Sequence, residues 1–258
     1  GMALQLSHAV SDGIRRIFTR TGGALFLGFL AIQLGTQTMV NTAILGYLPP
    51  EAATEFRSSV GLELPISGEI ALAALGVLIL LSSAYFVVLS RTFAQPLSEA
   101  GSFPASVTER LGRATVFALI GGVLVTIMIM IGSVFLLIPG LFLAVSFLFF
   151  IFAVAVEDEG VISSLKRSWG LARGSRLQLG VLVFASALFG GVIGAIAPLL
   201  TLAGLSVAAD LVIIVFSAVF FLPYYAIIAA AYLQLRDGQS QPDRQKTGPV
   251  DASQTQKL

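Results

Sequence analysis

ATVFALIGGVLVTIMIMIGSVFLLIPGLFLAVSFLFFIFAVAV, running from Ala114 to Val156, carries no charged residue. One crossing of a bilayer takes roughly 20 mostly apolar residues, because about 30 Å of hydrocarbon is covered at 1.5 Å per residue. The run is about twice that length. Its only break is Leu136-Leu137-Ile138-Pro139-Gly140, and Pro-Gly is a strong turn signal. The stretch therefore predicts two antiparallel spans joined by a tight turn, with the fold built around such pairs.

Working outward, four more segments qualify. The six predicted spans are about 22–45, 70–90, 114–137, 140–156, 177–197 and 208–233. The apolar runs are continuous rather than alternating, which disfavours a transmembrane barrel. In lipid every backbone N–H and C=O must be satisfied within its segment, which leaves the α-helix. Composition agrees: 56% of residues are hydrophobic and 11% charged, where a soluble domain carries about a quarter charged residues. The expected fold is all-α and integral to the membrane, six transmembrane helices as three hairpins. Residues 1–21 read as an amphipathic cytoplasmic segment, 22–235 as the six-helix domain and 236–258 as a disordered cytoplasmic tail. The first apolar run is too long for a signal-peptide core and reads as a retained helix.

Charge sets the orientation. Arg15, Arg16 and Arg20 precede the first span. Arg91, Arg110 and Arg113 lie between the second and third. Lys166, Arg167, Arg173 and Arg176 lie between the fourth and fifth, and Arg236, Arg244, Lys246 and Lys257 follow the sixth. Only Arg57 falls in a loop of the opposite set. With six spans all the basic segments share one face, and the Lys/Arg excess marks the cytoplasm. Both termini are thus expected inside a cell membrane. The long outer loop, 46–69, holds Glu51, Glu55, Glu63 and Glu69.

Short basic amphipathic stretches precede each odd-numbered span: Ile14 to Arg20, Val107 to Arg113, and Leu165 to Arg176. They read as cytoplasmic interfacial helices leading into three hairpins. The third belongs to a segment that opens with Glu157-Asp158-Glu159 and closes with bases, an order that suits a helix dipole. Its Trp169 is the only tryptophan, a residue favoured at membrane interfaces. Lys166, Arg167, Trp169, Arg173 and Arg176 are candidates for anionic lipid headgroups. The three consecutive acids do not converge on one helix face, so a metal site there is not expected.

Inside the first span Gln33, Gln37 and Asn41 recur four apart and share one helix face. They are candidates for the bundle interior, either bonding neighbouring helices or lining a substrate path. No ionised side chain falls near the centre of a span, which counts against an ion-coupled transporter. Pro223 interrupts the sixth span and reads as a kink. Gly190 and Gly194 allow close helix contact in the fifth.

Chemistry is sparse. The chain has no cysteine and a single histidine, His8. Disulfides, thiol catalysis and cysteine-ligated metals are excluded, and no nucleophile motif accompanies the histidine. A net charge of +1 offers no field for nucleic acid. No catalytic residue, cofactor or metal is expected.

Four segments carry a resemblance: Ile138-Pro139-Gly140, Val154 to Trp169, Ala172-Arg173-Gly174-Ser175-Arg176, and Ala231-Tyr232-Leu233-Gln234-Leu235-Arg236. Together they resemble a family of uncharacterised six-helix membrane proteins, haloarchaeal stand-alone members above all. These are similar to the membrane domain attached to some glycerophosphodiester phosphodiesterases. The resemblance implies a membrane fold over about residues 10–236, no activity and no catalytic residue. The reading is a non-enzymatic membrane module binding lipid, anionic lipid in particular, or membrane-protein partners including further copies of itself. The alternative is a small transporter or permease-like protein.

Overall fold

The computed structural model of the chain describes residues 4–246, with side chains described over 4–240. Among the described residues ten α-helices follow one another and no strand occurs. They are α1 (Leu6–Ile17), α2 (Arg20–Tyr47), α3 (Pro50–Ser59), α4 (Gly68–Phe93), α5 (Leu111–Phe135), α6 (Leu137–Ser146), α7 (Phe150–Ala155), α8 (Val161–Ala172), α9 (Arg176–Leu202) and α10 (Ser206–Lys246). Six helical segments are long and apolar enough to cross a membrane: α2, α4, α5, α6 with α7, α9 and α10. Each coincides with an expected span. Their outward faces are apolar, with Leu27, Leu81, Met130, Leu188 and Phe216 all exposed. Such a surface suits hydrocarbon rather than water.

Local chemistry starts the spans. Thr19 caps α2, its Oγ1 accepting from Gly22 N at 3.0 Å. Ser67 caps α4, accepting from Ile70 N at 3.3 Å. Each cap satisfies one of the donors a helix start leaves unpaired. Consecutive long helices pack together: α2 on α4, α5 on α6, α9 on α10. α10 is the hub, also touching α1, α2, α4 and α8. Its Leu222, Ile228 and Tyr232 lie in the main core with Leu89, Phe149 and Phe152.

The structure departs from the sequence reading in several places. The turn between the third and fourth spans is Leu136, the one residue in extended conformation between α5 and α6. Pro139-Gly140 instead sits in the first turn of α6. Proline is tolerated there because that N–H has no intrahelical partner. Gly140 is needed for proximity, since a Cβ on it would meet Ser133 on α5.

The fourth span is broken after Ser146, and helix resumes as α7 at Phe150. The lead-in expected before the third span is absent as a helix: residues 105–110 form turns, and Arg110 takes a positive φ of 49°. α10 passes through Pro223 without a break and continues beyond Arg236 to Lys246. Residues 236–246 of the expected tail belong to α10, and residues 247–258 of it lie outside the described residues. The connection between α2 and α4 contains a helix of its own, α3, opened by Pro50 at its first position.

Candidate functional site

At one end of the bundle the basic residues meet. Arg16, in the last turn of α1, is 3% exposed. Its Nη1 donates to Phe93 O at 2.7 Å and also to Gln95 O. Asp12 pairs with its Nη2 at 3.1 Å. Arg16 thus caps the C-terminus of α4, where the last carbonyls lack partners and the dipole favours a cation. Arg91 does the same for α7, donating from Nε to Ala155 O at 2.7 Å and from Nη1 to Val107 O at 2.9 Å. Arg110 and Arg113 both close on Asp158. The hydrogen bond from Arg110 holds that carboxyl below its ordinary range, with the charge of Arg113 adding to the effect.

The residues expected at lipid headgroups divide into two sets. Arg167 pairs with Glu157 at 2.9 Å and reaches Gln239 at 2.8 Å. Tyr232 donates its hydroxyl to the same Glu157. Arg176 lies over the ring of Phe142 at 4.7 Å and that of Trp169 at 4.9 Å, with its Nε on Ser146 Oγ. Trp169 is in turn packed edge-on to Phe142. These three residues hold helices together. Lys166 and Arg173 are exposed, with no hydrogen bond to other described residues. Glu157 and Asp158 point to different partners, so the acidic triplet does not converge. No group of His, Asp and Glu side chains suited to a metal occurs among the described residues.

α8 also has a task that its sequence does not announce. Ser168 donates to Ser146 O at 2.8 Å and accepts from Phe149 N at 3.1 Å. It thereby satisfies both sides of the break between α6 and α7, in a setting where a bare peptide group is costly. The only hint in the sequence is a serine on the apolar face of α8.

The polar stripe of α2 meets the N-terminal end of α10. Asn41 is buried and donates from Nδ2 to Asp210 Oδ2 at 3.0 Å and to Leu62 O at 2.8 Å. Leu62 N donates to the same Asp210 oxygen at 2.9 Å. Gln37 makes a long bond to Asn41 at 3.4 Å, while Gln33 is half-buried with no such partner among the described residues. Asp210 was missed by sequence reading because it lies at a span's edge, where acids are common. Its pairing with Asn41 could have been inferred only by placing α2 beside α10.

A separate cleft lies elsewhere. A cleft of about 580 Å³ is bounded by α2, α4, α5, α7 and α10. Its wall is apolar, relieved by Thr36, Ser82, Ser83, Thr126 and Tyr225. Ser83 donates to Thr115 O and Thr126 to Gly122 O. Ile79, Val123 and Ile127 belong to both the cleft and the exposed surface, so it opens between α4 and α5 toward the lipid-facing side. Gln33, Gln37 and Asn41 do not line it.

Residues 4–235 match the model of a family described as a domain of unknown function, DUF7847. The match spans nearly the whole helical bundle, and the chain belongs to that family. Comparison with curated proteins and with solved structures returns no match.

Proposed function

From membership in a family with no assigned activity, we propose that the protein is a non-enzymatic module of the cell membrane that binds a bilayer lipid in the cleft between α4 and α5. The observation carrying this reading is the cleft itself. It is sized for a chain rather than a small polar solute, walled by apolar side chains and open sideways to hydrocarbon. Its few hydroxyls are partly engaged with backbone carbonyls. A polar substrate would find few partners there. Asn41, of the stripe that would serve a transport path, bonds instead to Asp210 and to Leu62.

The proposal includes the arrangement in the membrane: three helical hairpins, with α1 and α8 at the cytoplasmic face and both termini inside. It rests on the gathering of Arg16, Arg91, Arg113 and Arg167 at one end of the bundle, and of Asn41, Leu62 and Asp210 at the other. Lys166 and Arg173 are among the exposed cations there, with Arg15 and Arg20, and are available to anionic headgroups.

Gly122 lines the cleft, and a Cβ added to it meets nothing within 4 Å. Gly122→Phe should fill the space without moving the backbone. Lipid retained after purification in mild detergent, measured by mass spectrometry, is expected to fall to a small fraction of the wild-type amount. A folded Gly122→Phe protein with an unchanged lipid complement overturns the assignment.

A further inference from the structure

At the opposite end from the basic cluster, Asp210 lies in the second turn of α10 and is 8% exposed. Both of its described hydrogen bonds, from Leu62 N and Asn41 Nδ2, go to Oδ2. Among the described residues Oδ1 has no donor, and no Lys or Arg pairs with the carboxylate. Arg57, the one base of the outer loop, faces Glu63 at 3.3 Å. A carboxylate taken out of water without a counter-charge is costly, and hydrogen bonds to one oxygen offset only part of that cost.

Asp210 also borders a groove of about 440 Å³ between α9 and α10, lined by Ala197, Pro198, Thr201, Leu202 and Ile213. Thr201 donates its hydroxyl hydrogen to Ala197 O, which leaves its oxygen free to accept. Leu199 and Leu202 beside it are among the most exposed apolar side chains. The groove therefore faces hydrocarbon along its length and holds one acid at the headgroup end of a span.

We propose that this groove seats the primary-ammonium headgroup of a bilayer lipid, its ammonium on Oδ1 of Asp210 and its acyl chain along α9 and α10. The charge is complementary, and an ammonium has three donors for the free carboxylate oxygen and the Thr201 hydroxyl. A quaternary headgroup carries the same charge but no donor. This site lies apart from the α4/α5 cleft and does not depend on it.

The test uses the full chain, equilibrated with vesicles of equal phosphatidylethanolamine and phosphatidylcholine and then re-isolated for lipid analysis. Wild-type protein should enrich phosphatidylethanolamine by about tenfold, the factor expected for one charge-assisted hydrogen-bonded contact. Asp210→Asn, which keeps an acceptor for Leu62 N, should return the ratio to that of the vesicle. Should Asp210→Asn fail to fold, Ala197→Phe blocks the groove without touching the bonds to Asn41 and Leu62, and it should have the same effect. Gly122→Phe should leave the preference intact, which separates this site from the cleft. No enrichment by the wild type overturns the proposal, as does enrichment that survives both groove variants. Retention of n-decylammonium without phosphatidylethanolamine enrichment also overturns it, since the groove would then take a free amine and not a lipid.

Discussion

At the residue scale, the arginines tie the helices of the bundle to one another. Arg16 and Arg91 cap the ends of α4 and α7, and Arg167 and Arg176 tie α8 and α9 to their neighbours. The charge count that predicts orientation was legible in the sequence, because it needs only position along the chain. Which cations remain available to a headgroup was not, because Glu157 and Phe142 come to Arg167 and Arg176 only through tertiary packing. Ser168 is the sharpest case. Replacing it with alanine strands Phe149 N and Ser146 O inside an apolar environment. Ser168→Ala should lower stability by about 1–2 kcal/mol, read from unfolding in neutral detergent. A change indistinguishable from zero would mean that the break is satisfied by water instead.

At the element scale, span existence followed directly from apolar length, and all six predicted spans appear. Breaks were less legible. Proline at 139 looked like the turn and proline at 223 like an interruption, yet the first sits in an opening helical turn and the second in a continuous helix. Proline reports a missing donor, and whether the chain bends there depends on the surroundings. The actual break, at 147–149, contains neither glycine nor proline. It is stabilised by α8, which no local rule could supply.

α1 shows the same dependence. Its sequence reads as an amphipathic segment, and only the structure shows that it packs on α10. Gly13 permits that approach: a Cβ would stand 2.6 Å from Ile227 Cα. Gly13→Val should separate the two helices at a cost of roughly 1–3 kcal/mol and speed proteolysis between α1 and α2. Cleavage at the wild-type rate would show that α1 is held by Arg16 alone.

For the whole molecule, topology is the property most open to test, since the chain has no cysteine and single cysteines can be placed at will. Ser163, exposed on α8, and Thr54, on α3, lie at opposite ends of the bundle. In intact cells a membrane-impermeant maleimide should label Thr54→Cys and spare Ser163→Cys until the membrane is opened. The reverse pattern would invert the orientation. By itself the sequence determined that the chain is helical, that six segments are fit to cross a bilayer and that its basic loops share a face. Those are matters of run length, apolar content and charge position, all of them local. Only tertiary structure decided where the polar groups go, Asn41 to Asp210 and Ser168 to a broken helix, and that an apolar cleft forms between α4 and α5 away from the glutamine stripe. In a bundle where nearly every surface is apolar, lateral packing is chosen by side-chain shape and by a few buried hydrogen bonds between residues far apart in the chain.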